Sequence, residues 1–283
     1  MNAGTPVQQP AQSGRRDRTP YLFSKALASA TICAAACFFW VSVRAAGQTP
    51  SFNRDVVALD PAHGGTDTGA RINDHVLEKD VTLEIAARLR SLLVARGFTV
   101  VATRETDPGS QGSGTMTTDL RAEAANKAHA VACLVLHATG SGNGVHVGIS
   151  ALGSPLAAIL SNGTAPAVTS ARTSGGAIPW NQAQEAYVTQ SLRLADEVGT
   201  ALSRSSTAVS VGRVAMRPLD NLTCPAISIE LAPLHVDNSD PTPVTDADYQ
   251  QRAAQAIAAA LVFWRNQAQP PESISVPRTG PGL

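Results

Sequence analysis

"EKDVTLEIAARLRSLLVARGFTVVATR", Glu78 to Arg104, holds the transition that decides the fold. Its first part places Val81, Ile85, Leu89, Leu92 and Leu93 on one stripe with charged side chains opposite, the spacing of an amphipathic helix. Gly97 closes that helix, and "FTVVATR" changes at once to a short apolar run of strand type. Upstream, "VVALD" (Val56 to Asp60) reads as another short buried strand, followed by a glycine-rich loop. Strand, helix and strand in succession imply an α/β sheet.

Outward from this unit the alternation continues. "ETDPGSQGSGTMTT" is loop, and "DLRAEAANKAHA" is a helix capped by Thr118 or Asp119. "VACLVLH", Val131 to His137, is a continuous apolar run of the kind buried on both faces, and "GVHVGIS" is a further strand. Ala151 to Pro179 is rich in Gly, Ser, Thr and Pro; it reads as loop with a short helix at "PLAAIL", long enough to serve as a lid. Helical spacing returns over Asn181 to Arg204, with Tyr187, Leu194, Val198 and Leu202 on one side. "VSVGRVAM" and "AISIELA" are strands, and a last helix carries Tyr249, Ala253, Ile257, Ala260, Leu261 and Trp264. The expected product is one α/β domain over 51–267, with a Pro-rich disordered tail over 268–283.

With 283 residues and 43% hydrophobic content, the chain can bury one substantial core. Its formal charge of zero hides an asymmetry, because Arg15, Arg16, Arg18, Lys25 and Arg44 stand against Asp17 alone in residues 1–45. Of 22 basic and 22 acidic residues, 17 and 21 remain beyond that point, a net charge of −4. A nucleic-acid surface would be basic, so that partner class is excluded. The leader itself runs from a basic stretch into the apolar Ala26–Val43 and then "RAAGQ", the order of a signal peptide or signal anchor over 1–46. Export follows, and the apolar segment is a candidate membrane anchor. Cys33 and Cys37 lie in that leader; for Cys133 and Cys224 export permits a disulfide, but a lone pair within apolar strands is expected here as two buried thiols, and their wide spacing without a CxxC argues against a thiolate zinc site.

No HExxH pair, GxSxG elbow or P-loop is present. Polar groups instead collect where an α/β sheet places its ligands, in the loops beyond the carboxyl ends of strands. His63 follows the first strand, His137 ends the third, Glu230 ends "AISIE", and Glu78 starts the first helix. Two imidazoles and a carboxylate suit zinc with one position left open, and a further carboxylate can move protons beside it. Each has an ordinary explanation too. Glu78 would favour the positive end of a helix, His137 would suit a structural hydrogen bond, and Glu230 would suit a salt bridge to an arginine such as Arg217. His75 is an alternative ligand by position, and His235 is close enough to Glu230 to touch a substrate, but both, like His129 and His146, read as structural or surface residues.

"ALDPAHGGTDTGA", "EKDVTLEIAARLRSLLVARGFTVVATRETD", "LRAEAANKAHA", "LVLHA" and "AISIELA" resemble, in the same order, the zinc-dependent N-acetylmuramoyl-L-alanine amidases of the amidase 3 type, which are peptidoglycan hydrolases. The resemblance implies an α/β single domain with a mostly parallel central sheet flanked by helices, of the phosphorylase/hydrolase-like kind. It implies Zn2+ held by His63, Glu78 and His137, with Glu230 as catalytic acid/base. The reaction implied is hydrolysis of the amide between the N-acetylmuramic acid lactyl group and the L-alanine of the stem peptide. Peptidoglycan is then the substrate, a protein activator is a candidate partner, and the periplasm or envelope is the location. The alternative is a non-catalytic wall-binding or regulatory protein that keeps the fold. The chain departs from the family pattern at Ala62, at Thr139, and after Glu230, where "LAPLHVDNSD" brings Pro233 and His235. These neighbours of the site bear on substrate fit and rate more than on metal binding.

Overall fold

Strand β1, Asn53–Pro61, is apolar at nearly every position from Val56 on, because the sheet in which it lies is covered on both faces. The computed structural model describes residues 53–107, 109, 115–153, 179–236 and 239–267. The leader, the "PLAAIL" helix with most of the expected lid, and the C-terminal tail lie outside the described residues. Among the described residues, no helix is long and apolar enough to cross a membrane.

Helix α1 (Glu78–Val94) buries Val81, Ile85, Leu89 and Leu93 against the sheet, as its periodicity requires, with Leu92 at the edge of the core. Strand β2 (Thr99–Ala102) returns parallel to β1. Helix α2 (Thr118–Lys127) is capped one residue earlier than expected, by Thr117, whose hydroxyl accepts from the Leu120 amide. Asp119 is drawn away to accept from Asn221 Nδ2 and Trp180 Nε1. Strand β3 (Ala130–Ala138) follows, then β4 (Val145–Ser150).

The stretch expected as one helix from Asn181 is a 3-10 segment, Trp180–Tyr187, leading into α3 (Val188–Arg204). The reason is tertiary: buried Gln184 donates to the Leu222 and Cys224 carbonyls and accepts from Ser191. Strand β5 (Val209–Val214), a 3-10 turn at Leu219–Asn221, β6 (Ala226–Leu231) and α4 (Ala247–Gln267) complete the order.

The six strands run β2-β1-β3-β6-β4-β5. β2, β1, β3 and β6 are parallel; β4 lies antiparallel to β6, and β5 is parallel to β4. One core packs α1, α3 and α4 on one face, and a second packs α2 and Leu219 on the other. Each fully buried leucine, Leu89 for instance, contributes about 1.5–3 kcal/mol. Cys133 and Cys224 lie in the second core and form a disulfide, which corrects the expectation of free thiols. An apolar strand hides either state equally well. What decides is the pairing of β3 with β6, which brings cysteines 91 residues apart in sequence to a Cα separation of 6.2 Å.

Candidate active site

The carboxyl ends of β1, β3 and β6 lie side by side, and β4 begins at the same edge of the sheet. His63 is two residues past β1 in a left-handed conformation, φ 65°, an uncommon one for a residue with a side chain. The surrounding hydrogen bonds impose it. Arg104 Nε donates to Pro61 O at 2.9 Å and its Nη2 to Ala62 O at 3.0 Å. Arg121 donates to Asp60 Oδ1, Pro61 O and His63 O. Gly64 O accepts from the Asp67 amide, and Lys79 Nζ donates to Gly65 O at 3.0 Å and to Asp107 Oδ2 at 2.7 Å. Every carbonyl from Pro61 to Gly65 is thus satisfied, which leaves the turn one backbone path.

Helix α1 has no side-chain cap at Leu77. Its first free amides are taken by the loop instead: Glu78 N donates to Ala70 O and Lys79 N to Thr68 O. That exchange folds residues 64–77 back over the helix start and sets Glu78 against His63. Gly69 lies between them, where a Cβ would stand 2.6 Å from His63 Cδ2 and 2.7 Å from Glu78 Oε2.

His63 Nε2 is 3.1 Å from Glu78 Oε2, and His137 Nδ1 is 2.8 Å from Glu78 Oε1. The donor atoms of His63, Glu78 and His137 all lie within 4.8 Å of one another. Ligands held about 2.0–2.2 Å from a tetrahedral metal are themselves about 3.3–3.6 Å apart, so the cluster needs only small shifts to close on an ion. His137 Nε2 is buried without a hydrogen-bond partner, so the protein satisfies one nitrogen of that ring and no more. These residues can hold a metal ion, two imidazoles and a carboxylate leaving one side open. Asp67 Oδ1 sits 2.9 Å from His63 Nδ1, where an outer carboxylate would orient that imidazole toward an ion.

The charges reinforce one another. The hydrogen bond to Glu78 raises the His63 pKa above 6.5 against the opposing effect of burial, with Asp67 adding to the rise. Burial pushes Glu78 upward, but hydrogen bonds from His137, His63 and the Ala70 amide outweigh it and hold the carboxyl far below the usual range.

Glu230 pairs in register with His137 across β3 and β6 and lines a cavity of about 480 Å³ with it. The alternative partner, Arg217, lies instead 4.0 Å from Asp119, and Glu230 has no ion pair among the described residues. Tyr249, whose hydroxyl is pushed up to about 12 by burial, donates to Ala232 O at 3.0 Å and fixes the chain just beyond Glu230. His75 lies outside the cluster, on the exposed turn where its amide meets Asn73 Oδ1, so it is no substitute ligand. His129 closes the turn before β3, its carbonyl accepting from Asn53. Thr139 and the segment after Glu230 lie together: Thr139 N donates to Leu231 O, Gly144 N to Pro233 O and His235 N to Asn143 Oδ1. Sequence reasoning missed Asp67, Arg104, Asp107 and Arg121, whose only signal is a charge within or near a glycine-rich loop.

An open α/β sheet that gathers two imidazoles and two carboxylates at its carboxyl edge has the donor set of a site that could hold a metal ion beside a further carboxylate. Residues 57–262 match the family model Amidase_3, N-acetylmuramoyl-L-alanine amidase, and the chain belongs to that family. Among curated relatives, the germination-specific N-acetylmuramoyl-L-alanine amidase of Bacillus subtilis (strain 168) is 48% identical over 21% of this chain and 25% of its own length. The N-acetylmuramoyl-L-alanine amidase AmiC of Escherichia coli O6:H1 is 51% identical over 18% of this chain and 13% of its own. The chain thus aligns to a quarter or less of the length of these relatives. Among solved structures, the amidase Ami1 from Mycobacterium smegmatis superposes with TM-score 0.53 at 19% identity, covering 75% of this chain and 97% of that one. The CwlD amidase of Clostridioides difficile, solved in complex with the GerS lipoprotein, gives 0.52 at 20%, covering 75% and 99%. These structures share the fold.

Proposed function

We propose that this protein hydrolyses the amide between the N-acetylmuramic acid lactyl group and the L-alanine of the peptidoglycan stem peptide, with Zn2+ held by His63, Glu78 and His137. The observation that carries the reading is the convergence of those three donors beside a cavity that Glu230 also lines. Zinc supplies Lewis acidity toward the amide carbonyl and the attacking water. Glu230 takes the proton from that water, a transfer that typically contributes about 10²–10⁴-fold in rate. Asp67 keeps the His63 ring turned toward the metal, and Arg104, Arg121 and Lys79 keep the turn that carries it from relaxing. The cavity continues from Glu230 over Gly148, Gly212 and Ser228 and is lined as well by Val214 and Met216, which gives a peptide both small and apolar contacts.

The envelope is the place of action, since the substrate is there; the leader over 1–46 would deliver the protein to it, as signal peptide or anchor. The intact donor set weighs against a non-catalytic wall-binding role. A protein activator remains a candidate partner, in keeping with the CwlD–GerS complex. The test is digestion of purified peptidoglycan by the zinc-loaded protein and by Glu230→Gln, with mass spectrometry of the products. Stem peptides beginning with L-alanine should appear with the unaltered protein alone. Peptides shortened within the stem would instead make it a peptidase.

A further inference from the structure

Four polar residues form a row across four neighbouring strands. His137 on β3 pairs with Glu230 on β6, Glu230 with His146 on β4, and His146 with Ser210 on β5. Residues paired across strands project to the same face, and all four line the same cavity of about 480 Å³. Directly opposed residues of an antiparallel pair have Cβ atoms about 4.5–5.5 Å apart, so His146 and Glu230 reach one small ligand.

The His146 ring is held. Its Nδ1 meets Ser210 Oγ at 2.6 Å, which leaves Nε2 as the nitrogen open to a ligand. Gly142 lies near that nitrogen, where a Cβ would stand 3.5 Å from Nε2, an ordinary contact. On this face the titratable neighbours are Glu230 from β6 and His137 from β3, while β5 presents the neutral Ser210. His146 is therefore oriented by one strand, placed beside the acid/base by another, and committed to no other side chain among the described residues.

We propose that His146 is a second catalytic residue of the amide hydrolysis, the acid that protonates the departing amine, with Ser210 as its positioning residue. The inference rests on the amidase reading above. In its acid form the imidazolium donates Nδ1–H to Ser210 Oγ and Nε2–H to the amide nitrogen. Water oxygen bonds to the carbonyl carbon as one water proton passes to the Glu230 carboxylate. The C–N bond then breaks while the nitrogen takes the Nε2 proton, releasing a free amine and a lactyl carboxylic acid. Glu230 returns its proton through the cavity to Nε2, and both groups are restored. The division of labour suits the geometry, with Glu230 beside the metal ligand His137 and His146 one strand further along the cavity floor.

The test compares two substrates that differ in their need for that proton. One is an N-acetylmuramoyl peptide, whose amine must be protonated to leave; the other is the p-nitrophenyl ester of N-acetylmuramic acid, whose phenolate leaves without it. With the full chain at equal zinc content, His146→Gln should lower kcat on the amide by about 10²–10⁴-fold and leave ester hydrolysis near the unaltered rate. Ser210→Ala removes one hydroxyl from an edge strand and should show the same leaving-group dependence at smaller amplitude; it carries the test if His146→Gln does not fold. Equal losses on both substrates, a change in KM alone, or full activity on the amide would each overturn the proposal while the amidase reading stands. Should the unaltered protein release no peptide from the amide, the amidase reading falls and this proposal with it.

Discussion

Gly69→Ala is expected to cripple metal binding although residue 69 is not a ligand. The new Cβ would lie 2.6 Å from His63 Cδ2, 2.7 Å from Glu78 Oε2 and 2.8 Å from Glu78 Cβ. Favourable contact begins at about 3.5 Å, so each of these atoms has to retreat by roughly 0.7–0.9 Å. A metal site tolerates about 0.2 Å in its ligand distances, so two of three ligands leave their places together. The backbone conformation at Gly69, φ +65°, adds about 1–2 kcal/mol of strain for any residue with a Cβ. The expected result is zinc affinity reduced by about 10–100-fold, the range found when the support of a ligand is removed. The assay is competition with a chromophoric chelator at neutral pH, alongside thermal unfolding of the metal-free proteins. Gly97→Ala is the control: its φ of +82° brings comparable strain, but the nearest atom to its Cβ is Arg265 Nη1 at 3.8 Å. It should lower stability and leave zinc affinity alone. Unchanged affinity in Gly69→Ala, or equal loss in both variants, would refute the reasoning.

Glu230→Gln should keep zinc and lose about 10²–10⁴-fold in kcat, read by metal analysis beside peptide release. Arg121→Leu removes the ion-pair partner of buried Asp60 and leaves it the Thr103 hydroxyl as hydrogen-bond donor, and chemical denaturation should show a loss of about 3–5 kcal/mol. Replacing Cys133 and Cys224 by alanine opens a cross-link spanning 91 residues and should cost about 2–5 kcal/mol, with zinc affinity little changed. In the metal-free protein Glu78 contributes stability above its ordinary pKa of 4.5, because its folded value is depressed, and that stability is lost as pH falls toward the folded value. Urea titrations through the acid range should therefore show a decline that is shallower in Glu78→Gln; equal slopes would count against the His63–Glu78–His137 coupling.

The elements were legible where a local rule suffices. The stripe Val81, Ile85, Leu89 and Leu93 repeats at helical spacing, and "VACLVLH" is apolar throughout, so α1 and β3 follow from neighbours in the chain. Element boundaries followed less closely where distant contacts intervene. Gln184 holds a 3-10 turn through the Leu222 and Cys224 carbonyls, nearly forty residues away. Asp119 gives up the expected cap to reach Asn221. His63 stood out because it sits between a strand and a glycine pair; its supports Arg104 and Arg121 did not, because an arginine in a sequence looks the same whether it faces water or holds a loop.

By itself the sequence determined the alternation of strand and helix, the export leader as an expectation, and the positions of His63, Glu78, His137 and Glu230 at the ends of elements. Only the tertiary structure decided that β3 and β6 are neighbours, and with that came the Cys133–Cys224 disulfide and the pairing of His137 with Glu230. It also decided that β4 runs antiparallel against β6, which turned His146 from an alternating strand residue into the neighbour of Glu230. The physical reason is the same in each case. Period and composition are properties of nearby residues, whereas strand order and register are set by the joint burial of segments far apart in the chain.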